Sequence, residues 1–136
     1  MIDKAEKMLA SRNVNPTPTR ILVLSHLLKD VRAHSLKDLE VALYNSDRSS
    51  IFRSLKIFQE RKVVHSIDDG SGRVKYAVCA EGCNCGPEDL HYHFYCTKCS
   101  FTYCLLDSPV PSVQLPPKFR MLQANMVIKG LCDKCT

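Results

Sequence analysis

The sequence predicts an α+β fold in two parts, and three observations predict it. Apolar residues recur at helical spacing in four segments between Ile2 and Arg61. Two short alternating segments, 63–67 and 74–78, then flank a turn rich in Asp and Gly. Two Cys-x-x-Cys pairs, Cys96/Cys99 and Cys132/Cys135, staple a second half that reads as short strands. At 136 residues the chain is one ordinary domain or two small ones, and a small domain with a thin core gains from a structural metal.

The elements follow in order. Residues 2–11 place Ile2, Ala5, Met8 and Leu9 on one helical face, and Pro16 and Pro18 break the chain after it. Thr17 before Pro18 reads as a cap and first helical position of a second helix running to about Lys29, whose Ile21, Leu22, Leu24, Leu27 and Leu28 face a core. His26 among them reads as a packed or surface histidine. Ser35 precedes a third helix with Asp38 in its first turn, and Asp47 caps a fourth, from Arg48 to about Arg61, with Ile51, Leu55 and Phe58 as its buried stripe. Helices closed by a two-stranded hairpin make a winged helix, in which the fourth helix enters the major groove of DNA and the hairpin lies along the backbone. The same elements also serve as a protein-interaction module. From Cys79 to Leu90 periodicity is lost. Strands are expected over 91–95, 101–106 and 121–128, with a proline-broken connection between the last two.

Charge is divided unevenly. Residues 1–78 hold 14 of the 19 Lys and Arg and 9 of the 14 Asp and Glu, so the whole net charge of +5 lies in the first half. A basic half joined to a neutral, metal-rich half suits a nucleic-acid binder with a ligand-responsive partner domain, although a net +5 is also an ordinary solvated surface. The start of the chain is mixed and charged, and no run of apolar residues is long enough to span a bilayer, so a cytoplasmic protein without membrane association is expected. In the reducing cytosol eight cysteines point to thiolate metal ligands rather than disulfides.

Cys96, Cys99, Cys132 and Cys135 supply four thiolates at chelating spacing, which complete a tetrahedral structural zinc site and leave no open position for chemistry. A thioredoxin-like redox pair needs a helix start in a βαβ unit, which neither pair has. His91 and His93 alternate on a strand, so both point to one side and can share an ion.

Several motifs, taken together, resemble the ferric uptake regulator family of metal-dependent bacterial transcription factors over nearly the whole chain. They are Thr17-Pro18-Thr19-Arg20 at the start of the second helix, His34-Ser35 before the third, and Ser49-Ser50-Ile51-Phe52-Arg53 with Leu55 in the fourth. A hairpin with a tyrosine near its end, the His-x-His and the two Cys-x-x-Cys pairs follow in the family's order. The resemblance implies a winged helix-turn-helix DNA-binding domain at 1–80 and a small α/β dimerisation domain with a structural zinc site at 81–136. It implies a homodimer on a palindromic operator of double-stranded DNA, acting as a repressor, with Arg20, Arg48, Ser49, Ser50, Phe52 and Arg53 at the DNA. Metal bound where the domains meet would set the angle between the winged helices. Phe52 stands where the family has tyrosine, and Ser49 and Ser50 where it has alanine and threonine, so operator preference is expected to differ.

In its sensor ligands the chain is most similar to the zinc uptake regulator branch. That likeness implies a site of His65, Cys79, His91 and His93, with His34 competing for the place of His65. Sulfur at Cys79 tilts the metal toward zinc, while Glu81, Glu88 and Asp89 offer oxygen to iron. An iron- or peroxide-responsive regulator therefore stands as the alternative. Cys83, Cys85 and Cys104 stay unassigned. Two readings from other classes compete: a zinc-stabilised adaptor with no sensing, and a metallohydrolase, which would need a positioned general base that the acids of the cysteine-rich loop do not supply.

Overall fold

The computed structural model describes residues 2–29, 32–78, 91–122, 124 and 126–136. Helix α1 spans Ile2–Ser11 and α2 spans Pro18–Leu27, followed by a short strand β1 (Arg32–Ser35), α3 (Leu36–Ala42) and α4 (Arg48–Glu60). The hairpin β2 (Val64–Asp68) and β3 (Val74–Val78) follows, and then β4 (His91–Cys96), β5 (Thr102–Pro109) and β6 (Val127–Gly130).

The helix starts are set by side chains that accept orphan backbone N–H groups. Thr17 accepts from the Arg20 N–H at 3.3 Å with Pro18 at the first helical position. Ser35 and Asp38 form a reciprocal capping box, the Asp38 N–H to the Ser35 hydroxyl at 3.1 Å and the Ser35 N–H to the Asp38 carboxylate at 2.9 Å. Asp47 accepts from the Ser50 N–H at 2.7 Å and from its hydroxyl at 3.1 Å. These bonds hold the exposed Asp47 carboxyl below its ordinary range, the Ser50 N–H contributing most. Helix α4 ends where Lys62 adopts a left-handed φ of 60° and the Val63 N–H returns to the Phe58 carbonyl at 2.8 Å.

One apolar core is built by the helices and the hairpin: Ala5, Leu9, Val23, Leu24, Leu27, Leu39, Ile51, Leu55, Phe58, Val63, Val64 and Tyr76. The stripe expected on α4 is the buried one. On α2 the phase differs from the expectation, with Val23 buried and Leu22 exposed. Five apolar residues crowd ten positions of α2, and only packing against α1 and α4 selects its inner face.

The strands form one six-stranded sheet in the order β2-β3-β1-β5-β4-β6. Strand β1 has no periodic signal in its four residues, and the sequence reading missed it. It is held from both sides, His34 and Ser35 pairing with Tyr76 and Lys75 of β3, and Arg32 and Ala33 pairing with Tyr103 and Thr102 of β5. It thereby splices the hairpin sheet to the C-terminal strands. Strands β4 and β5 pair antiparallel and β4 and β6 parallel. Strand β6 starts later than the expected 121, because its partners are the residues of β4 that lead into the first Cys-x-x-Cys. The two ends of the hairpin turn face different surroundings. Gly72 and Arg73 are exposed, but Asp69 is buried toward β5. No described helix is long and apolar enough to cross a membrane.

Candidate metal centres and nucleic-acid face

The parallel register of β4 and β6 assembles the four-cysteine site. Cys96 at the end of β4 stands opposite Gly130 of β6, so Cys132, two residues past Gly130, arrives beside the first Cys-x-x-Cys. The ligand atoms of Cys96, Cys99, Cys132 and Cys135 all lie within 4.8 Å of one another. The Cys99 and Cys132 sulfurs are 3.8 Å apart. A tetrahedron of thiolates around zinc at ~2.3 Å has edges of about 3.8 Å, so this spacing fits the ion.

The backbone prepares the sulfurs for a cation. The N–H groups of Cys99 and Cys132 both point at the Cys96 sulfur at 3.5 Å and, in that order, bring its thiol down to about 6. Burial and then the neighbouring thiols push Cys135 up to about 12. Without a cation the four cannot all ionise side by side, and zinc removes that conflict. The donor set fits the structural zinc that the spacing implied.

A second cluster joins three strands. His65 on β2, His93 on β4 and Cys104 on β5 present ligand atoms within 4.8 Å of one another. His93 and Cys104 are direct partners in the β4/β5 ladder, and the His65 and His93 ring centroids are 5.6 Å apart at a tilt of 42°. Burial pushes the Cys104 thiol up to about 11. Two imidazoles and a thiol fit a borderline-soft divalent metal such as zinc.

The sequence reading placed His65 and His93 at one site and left Cys104 without a role. The available signal was its place on the strand after the first Cys-x-x-Cys, but the register that sets it opposite His93 is a non-local property. Cys79 lies outside the described residues, as does the side chain of His91, whose backbone pairs with Pro109. His34, the competing ligand, packs its ring edge-on to His26 at 5.1 Å and is not a member of the His65 cluster.

The outer face of α4 carries Arg48, Ser49, Phe52, Arg53 and Lys56, and Phe52 is 48% exposed. The Arg53 guanidinium donates to the Ser50 hydroxyl at 3.3 Å, and Arg48 lies 3.7 Å from Glu40 of α3. Ser50 is engaged in the Asp47 cap, and Arg20 donates to the Asn15 carbonyl at 3.0 Å, beside the start of α2.

No protein-family model matches the chain. The ferric uptake regulation protein of Bacillus subtilis is 26% identical over 144 residues, covering 98% of this chain and 93% of that protein. The likeness to that regulator runs over nearly the whole of both chains. Among solved structures, a zinc uptake regulator complexed with zinc and DNA has a similar fold, with a TM-score of 0.65 at 22% identity, covering 98% of this chain and 91% of that one. The ferric uptake regulator of Vibrio cholerae follows with a TM-score of 0.63 at 13% identity, covering 93% of this chain and 98% of that one.

Proposed function

We propose that this protein is a member of the ferric uptake regulator family, a zinc-responsive repressor that binds a palindromic operator as a homodimer. The observation that carries the reading is the His65, His93 and Cys104 cluster, because its donors come from the wing and from the C-terminal strands. We assign residues 1–80 to DNA binding and 81–136 to dimerisation, in a cytoplasmic protein with no catalytic role. His65, His93 and Cys104 would hold the metal, whose positive charge would let the Cys104 thiol ionise. Cys79 and His91 belong to the same proposed ligand set. His65 anchors the wing to that set, and α4 packs on the wing through Phe58, Val63 and Val64. Holding the wing therefore holds α4, and two winged helices held at one spacing gain affinity for two half-sites by preorganisation.

On α4 we assign Phe52 to base contact, with its ring against a thymine methyl, and Arg53, Arg48 and Arg20 to phosphates. Ser49 and Ser50 lie at the same face. The thiol donors support zinc over iron, because ferrous iron sites favour nitrogen and oxygen. The test is duplex binding by fluorescence anisotropy, with zinc, ferrous iron and manganese each titrated against a chelator. Zinc should switch binding on at the lowest free concentration. Activation by ferrous iron but not by zinc at equal free concentration would overturn the choice of metal.

A further inference from the structure

A buried polar cluster outside both metal sites ties the wing turn to the four-cysteine knuckle. Lys75 of β3 is 4% exposed, Asp69 of the turn 1% and Thr102 of β5 0%. The Lys75 ammonium lies 2.9 Å from the Asp69 carboxylate, donates to the Thr102 hydroxyl at 3.0 Å and to the Ser100 carbonyl, and sits 4.8 Å from the centroid of the Tyr95 ring. The Thr102 hydroxyl donates on to Asp69, whose second oxygen accepts from the Ser71 N–H at 2.9 Å. All three ammonium protons thus have acceptors, two of them in the segment that follows the first Cys-x-x-Cys.

The turn that carries this carbonyl is held by its own hydrogen bonds. Ser100 has a φ of 65°, its N–H returns to the Cys96 carbonyl at 2.9 Å, and the Cys96 N–H donates to the Phe101 carbonyl at 3.0 Å. Cys96 and Cys99 lie in the same turn, so a filled four-cysteine site fixes the Ser100 carbonyl where Lys75 needs it. Among the described residues, direct backbone pairing between the two halves adds only the rungs of Arg32 and Ala33 of β1 on β5.

We propose that Lys75 is a positioning residue that latches the wing onto the zinc knuckle, so that the orientation of α4 depends on the four-cysteine site as well as on the His65 cluster. A satisfied buried network of this kind is costly when half formed, because losing one partner strands a charge away from water. The latch is therefore closed or open, with little between. Its consequence for DNA rests on the regulatory reading above, whereas the latch itself is tested without DNA.

The experiment uses the zinc-loaded full chain as wild type, as Lys75→Met and as the double variant Lys75→Met with Asp69→Leu, which replaces the ion pair by an apolar contact. Hydrogen exchange is read by mass spectrometry over β1, the start of β5 and α4, together with zinc content. Lys75→Met should keep its four-cysteine zinc and the protection of α4, while exchange over β1 and the start of β5 rises at least tenfold. The double variant should regain that protection. Unchanged exchange in Lys75→Met, an equal rise in α4, or failure of the double variant to recover would each overturn the latch. Binding to a duplex selected from random sequence by the zinc-loaded wild type should weaken at least tenfold in Lys75→Met. If exchange responds and duplex binding does not, the coupling to DNA falls and the latch stands. If the wild type selects no duplex under any metal, the regulatory reading fails, and the exchange data still decide the latch.

Discussion

The ring of His65, on the wing, lies 5.6 Å centroid to centroid from the ring of His93, on the central strand of the C-terminal group. The three donors come from both halves, His65 from β2 and His93 with its cross-strand partner Cys104 from β4 and β5. A metal held there is a cross-link between two halves, whereas the four-cysteine site closes a knuckle within one of them. The two sites should therefore separate in experiment.

Replacing His93 or His65 by Ala is expected to remove one of two metal ions per chain while the four-cysteine zinc remains. Metal affinity at the second site should fall by more than the ~10–100-fold typical of losing a supporting residue. Cys104→Asp should shift preference from zinc toward manganese or ferrous iron, because a carboxylate is the harder donor. Competition with a chromophoric chelator measures both, and a His93→Ala chain that still binds two zinc ions would remove His93 from the site.

Cys132→Ser should lose the knuckle zinc and, with it, the dimer, because a site of this kind is not formed in the unfolded chain and metal binding is coupled to folding. Metal analysis and size-exclusion chromatography together check it. A dimeric variant with its full zinc content contradicts the assignment.

Arg53→Ala should weaken binding to every duplex and lower the slope of log affinity against log salt by about 1, as for one lost phosphate contact. Phe52→Ala should instead blunt base preference, by roughly 1–3 kcal/mol at one position. Titrations at several salt concentrations with matched and mismatched duplexes distinguish the two. An unaltered salt slope in Arg53→Ala rules out a phosphate contact there.

In the core, Phe58→Ala should cost about 3–5 kcal/mol, since this side chain is fully enclosed among the helices and β2. Ser35→Ala should cost about 1 kcal/mol by opening one side of the capping box on α3. Urea unfolding of the zinc-loaded protein gives both differences. Equal losses would show that α3 carries more of the fold than its single buried leucine suggests.

Residue types and local spacing by themselves determined the helix starts at Pro18, Leu36 and Arg48, the buried stripe of α4, the hairpin and the pairing of the two Cys-x-x-Cys arms. Each of these rests on a few neighbouring residues: a cap and its first turn, a period of 3.6, an alternation of two, a chelating spacing. Only the tertiary structure decided the inner face of α2, the existence of β1, the start of β6, the place of Cys104 beside His93 and the burial of Asp69 with Lys75 and Thr102. These are consequences of register between strands far apart in the chain, and a register moved by one residue would turn Cys104 away from His93 and leave each local pattern as it was.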